Sequence, residues 1–144
     1  MLIVGEGTEM SRLREQTAQL GISDSVRFVG RKTKSEIIEL MHESHAFVLS
    51  SRAETFGGVC IEALSQGLPN IATICGGPEE FINENNGVLI PIDDVDAMSE
   101  AMIDMYTNYS KYEKNSIVEE CKRKFAPQVI AQQLTGIFES VIKQ

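Results

Sequence analysis

The segment Ala46-Phe47-Val48-Leu49-Ser50-Ser51-Arg52-Ala53-Glu54-Thr55-Phe56-Gly57-Gly58-Val59-Cys60-Ile61-Glu62-Ala63 passes from an unbroken apolar run, through a polar turn holding a glycine pair, into a helical pattern. A short continuous apolar run is how a strand covered on both faces reads, since neither face can be polar. Beyond the turn, Val59, Cys60, Ala63, Leu64 and Gly67 fall on one arc of a helical wheel, which predicts a helix over 58–67. Strand, turn, helix is the repeating unit of a parallel α/β sheet.

The same reading extends in both directions. Apolar runs at 2–4, 26–29, 71–74 and 88–90 predict four more strands. Met10, Leu13, Thr17 and Leu20 before Gly21, and Ile37, Leu40 and Met41 after Thr33, predict helices between them, and Thr33 and Glu36 have capping-box spacing. Pro91-Ile92-Asp93-Asp94 reads as a turn and N-cap for a helix carrying Val95, Met98, Met102 and Met105. Two helices follow, the last presenting Ile130, Leu134, Ile137, Phe138 and Val141 on one stripe that needs an apolar surface. The expected architecture is α/β, a Rossmann-like parallel sheet with helices on both faces and additional C-terminal helices. With 144 residues and no flexible linker or internal repeat, 1–144 reads as a single domain.

Composition narrows the function classes. Thirteen Lys and Arg against twenty-one Asp and Glu give a formal charge of -8, which repels a phosphate backbone and argues against nucleic-acid binding. Cys60, Cys75 and Cys121 are odd in number and form no CxxC pair, so neither a disulfide framework nor a zinc site is indicated, and a reducing cytosol fits. His42 and His45 lack a third ligand and read as helix-end and turn residues. Cys75 reads as a buried thiol, and Met98, Met102 and Met105 as core packing. No signal-peptide pattern and no apolar run near the ~18 to 20 residues that span a bilayer is present. The expected location is cytoplasmic, or peripheral at the inner membrane face.

The turn at 50–63 is where chemistry is expected, because ligands of open parallel sheets bind at the carboxyl ends of the strands. Gly57 and Gly58 allow close backbone approach, and the amides of the following helix start carry partial positive charge suited to a diphosphate. Glu62 falls on the flank of the helix in its second turn, where a carboxylate can accept hydrogen bonds from a vicinal diol such as a ribose. Glu54 lies in the turn itself. Two carboxylates also admit a glycoside-hydrolase reading, but that needs both acids facing one glycosidic bond, and a strand-turn-helix with Gly-Gly does not suggest a polysaccharide groove.

Glu54, seven residues, then Glu62, with Phe56-Gly57 between them, resembles the E-x7-E motif of family-4 glycosyltransferases of the GT-B fold. Val4-Gly5-Glu6-Gly7, Val29-Gly30, Phe47-Val48-Leu49-Ser50-Ser51, Gly67-Leu68-Pro69, Ala72-Thr73 and Gly76-Gly77-Pro78-Glu79-Glu80 resemble that family's successive segments in order, over about residues 1 to 105. The resemblance implies the C-terminal, donor-binding domain of a retaining enzyme that transfers a sugar from a nucleotide-diphosphate sugar to a glycan or lipid-linked acceptor in polysaccharide or glycoconjugate biosynthesis. It implies that Glu62 holds the donor ribose and that Glu54 contacts the sugar and steadies positive charge at its anomeric carbon. Ser51, Phe56, Gly57 and Gly58 would line the sugar and diphosphate, Gly5 and Gly7 would let a neighbouring loop approach the phosphates, and Arg31 would lie beside the base. No cofactor and no essential metal are implied.

The family's domain begins one strand earlier, with a loop and helix carrying an Arg and a Lys, and an acceptor-binding domain precedes it. The expectation is therefore a chain lacking that first strand and that acceptor domain, with little or no transfer activity alone. In the family's sheet that strand is central, between the strands that here lie at 2–4 and 46–49, so the remaining strands must pair across the gap or leave edges open, and self-association through exposed apolar surface on the last helix is expected. The alternative is a non-catalytic nucleotide-sugar-binding subunit that needs a partner chain. A phospho-acceptor domain would place a cluster of Asp at the strand ends, whereas the acids here are Glu within glycine-rich turns.

Overall fold

A computed structural model describes residues 1–142. Along the chain run β1 (Leu2–Val4), α1 (Met10–Gln19), β2 (Arg27–Gly30), α2 (Lys34–His42), β3 (Phe47–Leu49), α3 (Gly58–Ser65), β4 (Asn70–Thr73), β5 (Gly87–Ile90), α4 (Val95–Thr107), α5 (Lys114–Phe125) and α6 (Pro127–Ile142). Strand and helix alternate except between β4 and β5, which no α-helix separates, and every strand pairing is parallel. The strands form two sheets, β1-β2 and β3-β4-β5, so among the described residues β1 and β3 each have one hydrogen-bonded neighbour and an open edge. The chain divides into two compact units, Met1–Leu40 and the chain from Met41 onward, with the division falling inside α2.

Local sequence explains where the elements stop. Helix α1 ends where Gly21 takes φ 67, with the Ile22 amide donating to Thr17 O and the Gly21 amide to Ala18 O. Helix α3 ends the same way at Gly67, φ 77, with Leu68 N donating to Ala63 O and Gly67 N to Leu64 O. This paired bonding is the Schellman stop, in which a left-handed glycine just past the helix satisfies its last carbonyls. It ends α3 at Ser65, two residues short of the predicted 67. The Asp94 side chain accepts from Ala97 N at 2.8 Å, the N-cap expected for α4.

In the first unit the sheet is small. Gly30 pairs with Val4 across a register shift, and no residue of 1–40 is fully buried. In the second unit α3, α4 and α5 close a continuous core over β4 and β5, built from Cys60, Leu64, Ile71, Phe81, Ile90, Met105 and Ile117 among others. Met98 and Met102 pack against it as predicted. Asn70, buried at the start of β4, donates from Nδ2 to Cys60 O at 3.0 Å and so pins α3 to the sheet. Helix α6 has no buried residue, and its stripe of Ile137, Phe138 and Val141 stands open to solvent. Among the described residues no helix is long and apolar enough to cross a membrane.

The start of α2 generates a pH-dependent contact. Glu36 accepts from Lys32 Nζ at 2.8 Å, from the Thr33 amide at 2.9 Å and from Thr33 Oγ1 at 2.8 Å, the predicted capping box with a lysine added. Lys32 first, and then Thr33, hold the carboxyl at about 2 instead of its ordinary 4.5. Because the folded value is depressed, the stabilisation is complete above the ordinary value and is lost as pH falls toward about 2. A side-chain titration followed by nuclear magnetic resonance is expected to place the Glu36 midpoint near 2, and Lys32→Ala is expected to raise it.

Candidate functional site

The loops that leave the carboxyl ends of β3, β4 and β5 meet at one corner of the three-stranded sheet. The amide of Glu54, in the loop after β3, donates to Cys75 O at 2.8 Å, and the Gly77 amide donates back to Glu54 O at 3.2 Å, a short parallel bridge beyond the ends of the strands. Thr73, the last residue of β4, donates its hydroxyl to Ser51 O. Arg52 Nε forks onto both oxygens of Asp93, at 2.9 and 3.0 Å, in the turn after β5. Asp93 is the one non-glycine described at positive φ, 59, a conformation Asp tolerates better than most residues.

This corner depends on residues without side chains. A Cβ on Gly76, φ 122, would strike Glu54 O, and one on Gly77 would land on the backbone of Phe56. Gly57, φ 77, is the N-cap of α3, and a Cβ there would lie 3.2 Å from Pro78 Cγ and 3.5 Å from Phe81 Cζ. The Glu79 carboxylate accepts from the Gly76 amide at 2.9 and 3.0 Å, closing the loop on itself.

Of the residues singled out in the sequence, Ser51, Glu54, Phe56, Gly57, Gly58 and Glu62 stand on this one strand-turn-helix. The Glu54 carboxylate is held by Ser51 Oγ, which donates to its Oε1 at 2.8 Å. Gly58 and Val59 begin α3, whose first turn carries no acidic residue, while Cys60 and Ile61 donate to Gly57 O at 2.9 and 3.4 Å. The positive end of the helix is therefore not neutralised by its own first turn, and it suits an anion. Glu62 is exposed in the second turn, on the flank predicted for it. Burial, with smaller contributions from Cys75 and Glu54, pushes the Cys60 thiol up to about 12, so the cysteine on this helix is not a nucleophile.

Gly5, Gly7 and Arg31 lie in the first unit. Gly5, φ 125, donates its amide to Gly30 O at 2.9 Å, and Gly7 O accepts from Met10 N at 3.1 Å, so the loop after β1 folds onto the end of β2 and starts α1. Arg31 follows β2 directly and is exposed. Their association with the other six is not part of the geometry of either unit. His42 Nε2 bonds Gln66 Oε1 at 2.7 Å and His45 packs edge-on to Tyr109, and no group of three metal-binding side chains occurs among the described residues.

Thr73, Arg52, Asp93 and the run Gly76-Gly77-Pro78-Glu79 build the corner but were not singled out for the site. The adjacent glycines and proline carried the available signal, since such a run marks a constrained turn. A separate open concavity of about 650 Å³, bordered by Lys111, Glu113, Glu119, Glu120 and Arg123, includes none of the expected site residues and mixes both signs of charge.

The sequence profile of the family described as glycosyl transferases group 1 matches residues 1–123. Among curated relatives, the chain is 28% identical over 150 positions to the N-acetyl-alpha-D-glucosaminyl L-malate synthase of Bacillus anthracis, covering 99% of this chain and 38% of the relative. Among solved structures, the sucrose-phosphate synthase of Thermosynechococcus elongatus superposes with a TM-score of 0.84 at 25% identity, covering 99% of this chain and 38% of that one. HepE of Anabaena, solved in complex with UDP, superposes with a TM-score of 0.84 at 24% identity, covering 96% and 40%. The chain thus spans about two fifths of the length of these relatives, and the fold is the α/β, Rossmann-like one of GT-B glycosyltransferases.

The corner's dependence on glycine is directly measurable. Gly77→Ala is expected to lower stability by at least ~2 kcal/mol in denaturant unfolding, because the new methyl has only backbone to displace. Gly7→Ala, with nothing within 4 Å of the new carbon, is expected to change it by less than ~0.5 kcal/mol.

Proposed function

The chain belongs to the glycosyl transferases group 1 family, and from that premise we propose that it is the donor-binding part of a retaining, family-4 type glycosyltransferase. The reaction breaks the bond between the anomeric carbon of a nucleotide-diphosphate sugar and its diphosphate oxygen. A bond from an acceptor hydroxyl oxygen forms on the same face of the sugar, and the hydroxyl proton leaves with the diphosphate. The acceptor is a glycan or lipid-linked saccharide, as polysaccharide or glycoconjugate biosynthesis requires. The 144 residues read as the nucleotide-sugar-binding half of such an enzyme, and the acceptor is recognised by residues beyond them.

The observation that carries this reading is the corner joining the ends of β3, β4 and β5. It presents an acid-free helix start at Gly58, a carboxylate at Glu54 fixed by Ser51, and a second carboxylate at Glu62 one helical turn on. A sugar by Glu54, an anion at the helix start and a diol by Glu62 is the order of groups in a nucleotide-diphosphate sugar. The backbone amides of α3 take part of the diphosphate charge, so binding needs no metal ion. HepE, which shares the fold, was solved with UDP, which agrees with a nucleotide ligand.

Calorimetric titration of the chain with UDP, GDP, ADP and their sugar conjugates tests the reading. Saturable binding of one nucleotide is expected, weakened at least about tenfold by Glu62→Ala as two charge-assisted hydrogen bonds are lost, and unchanged by a chelator. No binding by the folded chain, or binding indifferent to Glu62, contradicts it.

A further inference from the structure

Phe56 belongs to the loop after β3, but what holds its ring comes from two distant stretches. Its ring meets Phe81 at 6.2 Å and 62°, and Phe125 at 6.1 Å and 83°. Phe81 and Phe125 meet each other at 5.6 Å and 85°. All three pairs are edge-to-face and fall within the range where such contacts are favourable, so the rings form a closed triangle in which each contacts both others. Phe81 is buried, whereas Phe56 keeps 53% of its surface exposed. Phe56 is therefore gripped from one side and open on the other.

The triangle stands against the backbone that begins α3. Phe81 Cζ and the Pro78 ring border Gly57 closely enough that a Cβ there would touch both, and Gly77 abuts the Phe56 backbone. Gly57 then accepts from Cys60 and caps the helix. Phe125, the last residue of α5, is beyond the stretch matched by the family profile, which ends at 123.

The geometry points to Phe125 as a positioning residue that fixes the Phe56-Gly57-Gly58 turn from behind, through the aromatic triangle, and so keeps the amides of the α3 start aimed before a ligand arrives. Its consequence for binding rests on the reading of this turn as the diphosphate site. Donors already in place cost nothing to order when the ligand binds, whereas a loosened turn must be ordered at that moment and binds more weakly.

The test compares the wild-type chain with Phe125→Leu, the milder Phe125→Met, the ring-preserving Phe125→Tyr, and Ile117→Val as a buried control on the same helix. Amide hydrogen exchange reads the turn directly at Glu54, Cys60 and Gly77, whose amides bond within the corner. Phe125→Leu or Phe125→Met is expected to speed exchange at these three amides about tenfold, the scale of one lost aromatic contact, while Ile71 and Ala72 in β4 keep their rates. Phe125→Tyr is expected to restore the wild-type rates, and Ile117→Val to leave the three amides unchanged relative to β4. The affinity for whichever of UDP, GDP or ADP the wild type binds is expected to fall about tenfold with the loss of the ring. Unchanged exchange at the three amides, or acceleration spread evenly through the unit, would overturn the positioning role. Absence of nucleotide binding by the wild type would instead count against the assigned site, with exchange still deciding whether Phe125 holds the turn.

Discussion

The structure of the candidate site depends on two backbone hydrogen bonds, from Glu54 N to Cys75 O and from Gly77 N to Glu54 O. They extend the β3-β4 pairing past the ends of the regular strands and hold Glu54 beside the chain that follows β4. Both need the chain after β4 to approach closer than any side chain permits, which is why Gly76 and Gly77 stand there. With the bridge made, Ser51 can reach the Glu54 carboxylate and Gly57 can take the left-handed turn that starts α3. The Arg52-Asp93 fork adds a third attachment, but both side chains are solvent-exposed, so it contributes little stability and serves mainly to orient.

Rigidity behind the site comes from packing. The core of the second unit runs beneath α3, α4 and α5 and places Cys60, Ala63 and Leu64 out of contact with water, leaving the opposite flank of α3 with Glu62 exposed. One short helix thus serves both roles, its apolar arc fixing it to β4 while its start and its flank face solvent. The first unit is held differently, with two strands, no fully buried residue, and helix ends secured by a Schellman turn and a capping box.

Much of this was legible in the sequence because the relevant forces are local. Continuous apolar runs located all five strands, with boundary shifts of a residue or so at most ends. Gly30 and Gly87 pair in their strands although they add nothing to an apolar run, since the ladder is made by backbone groups. Gly21 marked the end of α1, while α3 stopped before Gly67 because the Schellman turn takes the glycine outside the helix. The helical wheel put Glu62 on the exposed flank of α3, and the strand-turn-helix pattern put Glu54 in the turn before it. The partners of the site were not legible. Phe81 and Phe125 read only as apolar residues on unrelated elements, and nothing in periodicity says that their rings meet at Phe56. Whether β1 and β3 would pair across the place of the absent strand was likewise open, and the structure leaves them in separate sheets.

The ligand proposed for the corner formed after β3, β4 and β5 is a nucleotide diphosphate. The most direct measurement is an amide chemical-shift map of the isotopically labelled chain as UDP, GDP or ADP is added. The largest perturbations are expected at Glu54, Phe56, Gly57, Gly58, Glu62 and Gly77. Perturbations gathered instead around Lys111, Glu120 and Arg123, at the separate concavity, with the Glu54–Glu62 segment silent, would contradict it.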